Sequence, residues 1–250
     1  MEKSFRSRLS KGDFLPGTLL CLSSPEIADI LVEAGFKWLF IDLEHAPTGA
    51  LEAQAILQAV DRRIDCVVRV PLNDEIWIKK VLDIGATSLM IPQVNTAEDA
   101  RRAVRLCKYP PQGTRSVGMA RASTYGARLQ QYLEHANDET AVIIQIEHIQ
   151  AVGNIEAILS VEGIDAVFIG PFDLSASMGL IGQVNHLEVQ AAIESVRRAC
   201  QAHQIPVGIF VGSANKAVDY ARQGFSLVAV STDAFILGQA ARTIIADLAV

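Results

Sequence analysis

Short apolar runs recur along the chain, and each gives way to a stretch whose apolar residues return every three or four positions. The runs fall at 19–22, 38–41, 66–70, 88–91, 142–146, 166–169, 206–210 and 227–230. Several are continuous rather than alternating, as expected for parallel strands covered by helices on their outer face. The stretches between them carry helix signals. Ser24-Pro25-Glu26 reads as an N-cap, a proline at the first helical position and an early acid. Thr96-Ala97-Glu98-Asp99 fits a capping box, opening a stripe of Ala97, Ala100, Val104 and Cys107. Val189, Ile193, Val196 and Cys200 form another stripe that ends near His203.

Eight strand–helix units in strict alternation predict an α/β fold. An open doubly wound sheet is the rival. No GxGxxG turn follows the first run, and 250 residues is close to the usual size of a (β/α)8 TIM barrel, so the closed form is expected. The predicted organisation is one domain over 1–250, with an N-terminal extension at 1–17 and an irregular insertion at 108–141. Tyr109-Pro110-Pro111-Gln112-Gly113 breaks the helix before that insertion, and a new helix is predicted to about His135. Placed after strand four, the insertion is expected on the catalytic side of the barrel, either covering the site or serving as a structural flap.

Composition narrows the functional classes. Half the residues are hydrophobic and 20% are charged, which excludes a disordered chain. The net charge is −6 with no basic block, which argues against nucleic-acid binding. No apolar run approaches the ~20 residues that span a bilayer. The polar start MEKSFRSRLSKGD lacks the apolar core of an export signal, so a cytoplasmic location is expected. Cys21, Cys66, Cys107 and Cys200 form no CxxC pair and read as small hydrophobes in a reducing compartment.

The candidate chemistry sits at strand ends. Glu147 and Asp173 follow strands five and six. Two carboxylates, with water and substrate completing the shell, suit Mg²⁺ or Mn²⁺; salt bridges or helix caps are the structural alternative. Gly170-Pro171 makes a turn where the N–H groups of Phe172 and Asp173 can face an anion. Arg69 ends strand three, where its fork suits a carboxylate or enolate oxygen, or else a buried ion pair with Asp42 or Glu44. His45 lies three positions after Asp42 and can act as a general base near neutral pH. His135, His148, His186 and His203 have weaker cases, and His148, next to Glu147, should point elsewhere. No lysine lies inside a strand, which removes Schiff-base chemistry. Val230-Ser231-Thr232-Asp233 offers no glycine-rich phosphate cradle.

Taken together, IDLEHAP, VVRVP, KKVLDIGA, CKYPPQGTRSVG, QIE and VFIGPFDLSASMG resemble the HpcH/HpaI aldolase family, from about Leu19 to the last helix. The pattern looks like the branch of 4-hydroxy-2-oxoheptanedioate and 2-dehydro-3-deoxyglucarate aldolases. The resemblance implies a TIM barrel whose last helix is exchanged between subunits of a homo-hexamer, a trimer of dimers. It implies Glu147 and Asp173 as ligands of a divalent metal (Mg²⁺, Mn²⁺ or Co²⁺), His45 as base and Arg69 as transition-state stabiliser. It implies that Asp83 raises the basicity of the histidine, with Asp42 as the local alternative. Gln145, Phe172, Asp173 and Arg69 would contact the 2-oxo acid. The implied reaction is reversible cleavage of a 4-hydroxy-2-oxo acid to pyruvate and an aldehyde. A citrate-forming condensation and a non-catalytic 2-oxo-acid-binding barrel are the alternatives. Three positions depart from the family pattern: Phe172 and His148 stand where small residues are common, and Ser231-Thr232-Asp233 lacks a glycine before the aspartate.

Overall fold

The computed structural model describes residues 5–248, so the outermost positions of the expected extension and last helix, 1–4 and 249–250, lie outside it. Eight parallel strands close into a barrel in chain order: β1 (Leu15–Leu20), β2 (Trp38–Asp42), β3 (Asp65–Arg69), β4 (Ser88–Ile91), β5 (Ala141–Ile146), β6 (Ala166–Ile169), β7 (Val207–Val211) and β8 (Leu227–Thr232). The helices are α1 (Phe5–Ser10), α2 (Pro25–Glu33), α3 (Ala50–Val60), α4 (Glu75–Asp83), α5 (Ala97–Cys107) and α6 (Leu129–Glu139). They continue as α7 (Ile149–Gly153), α8 (Ile155–Leu159), α9 (Pro171–Ser177), α10 (Leu187–Ala202), α11 (Ala214–Arg222) and α12 (Asp233–Leu248). The TIM barrel expected from strand–helix alternation is the fold observed.

Two apolar layers hold it together. Leu20, Ile41, Val68, Leu89, Ile144 and Val167 pack outward against the helices. Phe40, Val67, Met90, Ile143, Phe168 and Ala229 fill the interior. The helix starts follow local rules. Ser24 Oγ accepts from Ile27 N–H, with Pro25 in the first turn of α2. Thr96 and Asp99 exchange backbone and side-chain hydrogen bonds at the head of α5.

The first strand begins four residues earlier than the sequence pattern predicts. Pro16 and Gly17 fall in the expected extension, yet both lie within β1. Gly17 pairs with Trp38, and a Cβ there would collide with the indole ring, whose Nε1 donates to Leu15 O at 2.8 Å. Glycine therefore lets the barrel hold a tryptophan at this end. Part of the expected extension is likewise structured. Phe5 and Leu9 of α1 join the inner core, while Arg6 pairs with Asp165 at 2.5 Å and Arg8 with Asp65 at 2.5 Å. Both aspartates lie at or next to strand starts, so α1 plugs the N-terminal end of the barrel.

The 108–141 segment needs a similar correction. It follows α5, not β4, and leads into β5. Arg121 Nη1 donates to Ile84 O at 3.1 Å, and Arg115 Nη2 pairs with Asp83 Oδ1 at 2.8 Å, both in the turn before β4. A connection from helix to strand lies at the bottom of the barrel, away from the catalytic face. The segment therefore packs on the N-terminal end of its own barrel and does not cover the mouth. Its helix runs to Glu139, beyond the predicted His135.

Candidate active site

Strand register builds the centre of the site. Asp42 and Arg69 are direct partners across β2 and β3, so their side chains leave the sheet together at its C-terminal edge. Arg69 Nε donates to Asp42 Oδ1 at 2.9 Å and Nη2 to Oδ2 at 2.8 Å. Its Nη1 lies 3.1 Å from Glu44 Oε2 and 3.4 Å from Gln145 Oε1, and the guanidinium sits over the Phe40 ring at 5.1 Å. The arginine is thus both the ion pair and the mouth residue considered from the sequence. Burial pushes the Asp42 carboxyl up, but the hydrogen bonds and charge of Arg69 outweigh it and hold the carboxyl below its ordinary range.

Glu147 is buried just after the end of β5. Its Oε1 accepts from Gln93 N–H at 2.8 Å, and its Oε2 takes a short hydrogen bond from Gln145 Nε2. Burial raises its pKa to about 7; the Gln93 N–H opposes the rise, and Glu44 and Asp173 add to it. Glu44 is also raised, first by burial, against the pull of Arg69 and His45. Gly170 lets β6 approach this pair, since a Cβ there would come within 2.9 Å of Gln145 Nε2 and 3.1 Å of Glu147 Cβ.

A cavity of about 130 Å³ opens beside these groups, lined by Leu19, Phe40, His45, Arg69, Gln145, Phe168, Gly170, Pro171, Phe172, Asp173 and Phe210. Phe172 and Asp173 open α9, which puts their backbone N–H groups in its first turn, where no intrahelical acceptor exists. The Phe172 side chain is 51% exposed and meets Phe210 with ring centroids 6.3 Å apart. His45 is exposed at the rim, its Nε2 3.7 Å from Glu44 Oε2. The Asp42 carboxylate instead accepts the backbone N–H of Glu44 and His45, at 2.9 and 3.3 Å. The carboxylate beside the imidazole is therefore Glu44, a residue the sequence offered only as an ion-pair partner.

Of the residues singled out in the sequence, His45, Arg69, Gln145, Phe172 and Asp173 line one cavity, and Asp42 and Glu147 back it. Asp83 is not among them. It ends α4, at the bottom of its own barrel, and pairs with Arg115. His148 does turn away from the cavity; its Nδ1 accepts from Gln150 N–H at the head of α7. Asp233 closes the end of β1 by accepting from Cys21 and Leu22 N–H at 2.9 and 3.0 Å. Sequence reasoning passed over Gln93 and Phe210. Gln93 acts through a backbone N–H in a left-handed residue, φ 55°, and carries no residue-type signal.

Among the described residues, no three His, Cys, Asp or Glu side chains are arranged to close on one ion. The donor set still suits a hard divalent cation that retains much of its water. Asp42, Glu44, Glu147 and Asp173 act electrostatically on one another or on Arg69. Four carboxyl groups share this region with a single guanidinium, and Glu147 and Asp173 are the two that the Arg69 fork does not hold.

The chain is similar to several known proteins. A 4-hydroxy-2-oxo-heptane-1,7-dioate aldolase of Escherichia coli is 43% identical over 249 residues, spanning 98% of this chain and 95% of its own length. The crystal structure of an HpcH/HpaI aldolase/citrate lyase family protein from Burkholderia cenocepacia J2315 superposes with a TM-score of 0.94 at 37% identity, over 97% of this chain and 98% of that one. The citrate synthase SbnG superposes with a TM-score of 0.86 at 28% identity, over 98% of this chain and 96% of that one. The profile of HpcH/HpaI aldolase/citrate lyase matches residues 17–240, and the chain belongs to that family.

Proposed function

We propose that the chain is a divalent-metal-dependent pyruvate aldolase, a carbon–carbon lyase that cleaves a 4-hydroxy-2-oxo acid to pyruvate and an aldehyde and catalyses the reverse addition. The observation that carries this reading is the surplus of carboxylates around Arg69 beside a cavity with an imidazole at its rim. Glu147 and Asp173 would hold Mg²⁺, Mn²⁺ or Co²⁺, which when bound supplies Lewis acidity toward the 2-oxo acid. Gln145 and the N–H groups of Phe172 and Asp173 position the substrate carboxylate. His45 takes the proton from the C4 hydroxyl. The C3–C4 bond then breaks, its electron pair forms the enolate of pyruvate, and the aldehyde leaves. The Nη1 edge of Arg69, held rigid by Asp42, meets the charge that develops on the 2-oxo oxygen. A proton added at C3 completes pyruvate.

The same reading includes a homo-oligomer, with a hexamer as the family pattern. Phe235, Leu237, Ile244, Ile245 and Leu248 are more than half exposed on α12, and Asp233 is its one buried residue. A helix with so much bare apolar surface suits exchange onto a neighbouring subunit. Asp83 can reach a histidine at a barrel mouth only from another subunit, so its supporting role belongs to that assembly. No described helix is long and apolar enough to cross a membrane, and the free cysteines suit a cytoplasmic setting.

The test is pyruvate release from a series of 4-hydroxy-2-oxo acids, with metal removed and restored. Turnover should vanish on chelation and return with Mg²⁺ or Mn²⁺. Undiminished turnover in metal-stripped protein overturns the scheme.

A further inference from the structure

The short connection from β4 to α5 passes beside Glu147, and its backbone is unusual there. Gln93 has φ 55°, in the left-handed region that side chains rarely adopt. Asp61, Arg62 and Gln204 share that conformation just after a helix has ended, which is its usual place. Gln93 has no helix to close, since β4 ends at Ile91 and α5 begins at Ala97. The residue is exposed. Its contribution to the site is its main-chain N–H, which meets Glu147 Oε1 at 2.8 Å. Backbone strain of this kind persists only where the surrounding structure enforces it, and it gathers at functional sites.

The chain just beyond Gln93 is pinned. Val94 is fully buried in the outer core. The N–H groups of Asn95 and Thr96 both donate to Asp99 Oδ2, at 3.2 and 2.9 Å, and Asn95 O accepts from Asn154 Nδ2 at 2.9 Å. With Ile91 held in β4, residue 93 is the closing link of the connection. A residue that resists its φ must turn or displace the peptide that carries the N–H. Glu147 has a donor on each oxygen, Gln93 N–H on Oε1 and Gln145 Nε2 on Oε2. A carboxylate oxygen accepts at two positions, so each oxygen keeps one for a cation. The Gln145 amide can rotate about its side-chain bonds, whereas the Gln93 N–H is fixed by the backbone.

We propose that Gln93 is a positioning residue, whose left-handed backbone holds the Glu147 carboxylate in the orientation that receives the divalent metal. The backbone does this whatever the side chain. The proposal rests on the aldolase reading and adds to it the element that presets the metal ligand.

The experiment titrates Mn²⁺ by electron paramagnetic resonance on the native protein, Gln93→Gly, Gln93→Val and Glu147→Gln, with circular dichroism to check folding. Glycine adopts this φ freely, so Gln93→Gly should bind Mn²⁺ as the native protein does. Valine is stiff and resists it, so Gln93→Val should lose about 10–100-fold in affinity, the scale for losing a hydrogen bond to a metal ligand. The Mn²⁺ concentration that half-saturates pyruvate release should rise by the same factor. Should Gln93→Val fail to fold, an ester in place of the amide between Pro92 and Gln93 removes the N–H alone and should show the loss. Equal losses in Gln93→Gly and Gln93→Val would assign the effect to the glutamine side chain and overturn the proposal. Native affinity in Gln93→Val, or in the ester, overturns it too. In each of these cases, tight binding by the native protein that Glu147→Gln abolishes leaves the aldolase reading standing. A native protein that binds no Mn²⁺ overturns both.

Discussion

Arg69 and Asp42 face each other across adjacent strands and close two parallel hydrogen bonds, at 2.9 and 2.8 Å, with both side chains almost wholly buried. The fork fixes the plane of the guanidinium and leaves Nη1 as the edge toward Gln145 and Glu44. Asp42 thus acts on the cavity through the arginine, and through the backbone N–H groups that set the course of the chain at His45.

Breaking that pair should cost both stability and activity. Asp42→Ala leaves a buried guanidinium without its main counter-charge, which destabilises by about 3–5 kcal/mol. Urea unfolding should show that loss. The double variant Asp42→Ala/Arg69→Met should recover part of the stability, because the uncompensated charge is gone, while pyruvate release stays abolished. Recovery of both together would show that the pair serves folding alone.

The carboxylates should separate from the imidazole when metal binding and turnover are measured on the same variants. Glu147→Gln is expected to lose at least tenfold in Mn²⁺ affinity. Gln145→Ala, which removes the donor that orients Glu147, should weaken it by about 10–100-fold. His45→Ala should bind Mn²⁺ as the native protein does and lose turnover. Titration of Mn²⁺ by electron paramagnetic resonance, beside a pyruvate-release assay, reads both quantities. A His45→Ala protein that turns over normally would remove the imidazole from the scheme.

The sequence made the architecture legible because each unit repeats one pattern, and a parallel strand with two covered faces is simply an apolar run. It also made most of the candidate site legible, since Arg69, Glu147 and Asp173 are polar residues at or just after the ends of such runs. It hid what depends on geometry rather than residue type. Pro16 and Gly17 fall in the expected extension, and only the indole of Trp38 explains a glycine there. Glu44 adjoins His45 in the chain, but which carboxylate faces the ring depends on the turn made after β2. Counting from strand four puts the 108–141 segment at the wrong barrel end, because α5 intervenes. Asp83 sits where the sequence pattern put it, and the site it would serve is not in its own subunit's reach.

Thiol chemistry should be nearly silent in the native protein. Burial raises Cys66, Cys107 and Cys200 to about 12, and Cys21, at the end of β1, to about 11 through burial and the nearby Asp233 and Asp42. At pH 7.5 less than about one in a thousand of these thiols is ionised, and the thiolate is the reactive form. Iodoacetamide should leave the folded protein unmodified over an hour and label all four cysteines in guanidinium chloride. Raising the pH toward 10 should bring Cys21 up first, because it has the lowest pKa and is the one partly exposed. Mass spectrometry after digestion identifies the site, and rapid labelling of any cysteine at pH 7.5 would contradict this placement.

The apolar face of α12 yields the last expectation. Ile244 is 60% exposed and Ile245 69% exposed within one subunit, an arrangement that leaves hydrocarbon in water unless another chain covers it. Burying each such side chain is worth about 1.5–3 kcal/mol, so two charges placed there should tip an assembly toward smaller species. The double variant Ile244→Asp/Ile245→Asp should keep the barrel's circular dichroism, since neither side chain belongs to its core. Light scattering should report a lower mass than for the native protein. Activity should fall with the mass if Asp83 serves a neighbouring site, and should persist if each barrel works alone. An unchanged mass would show that α12 is covered by something other than a second copy.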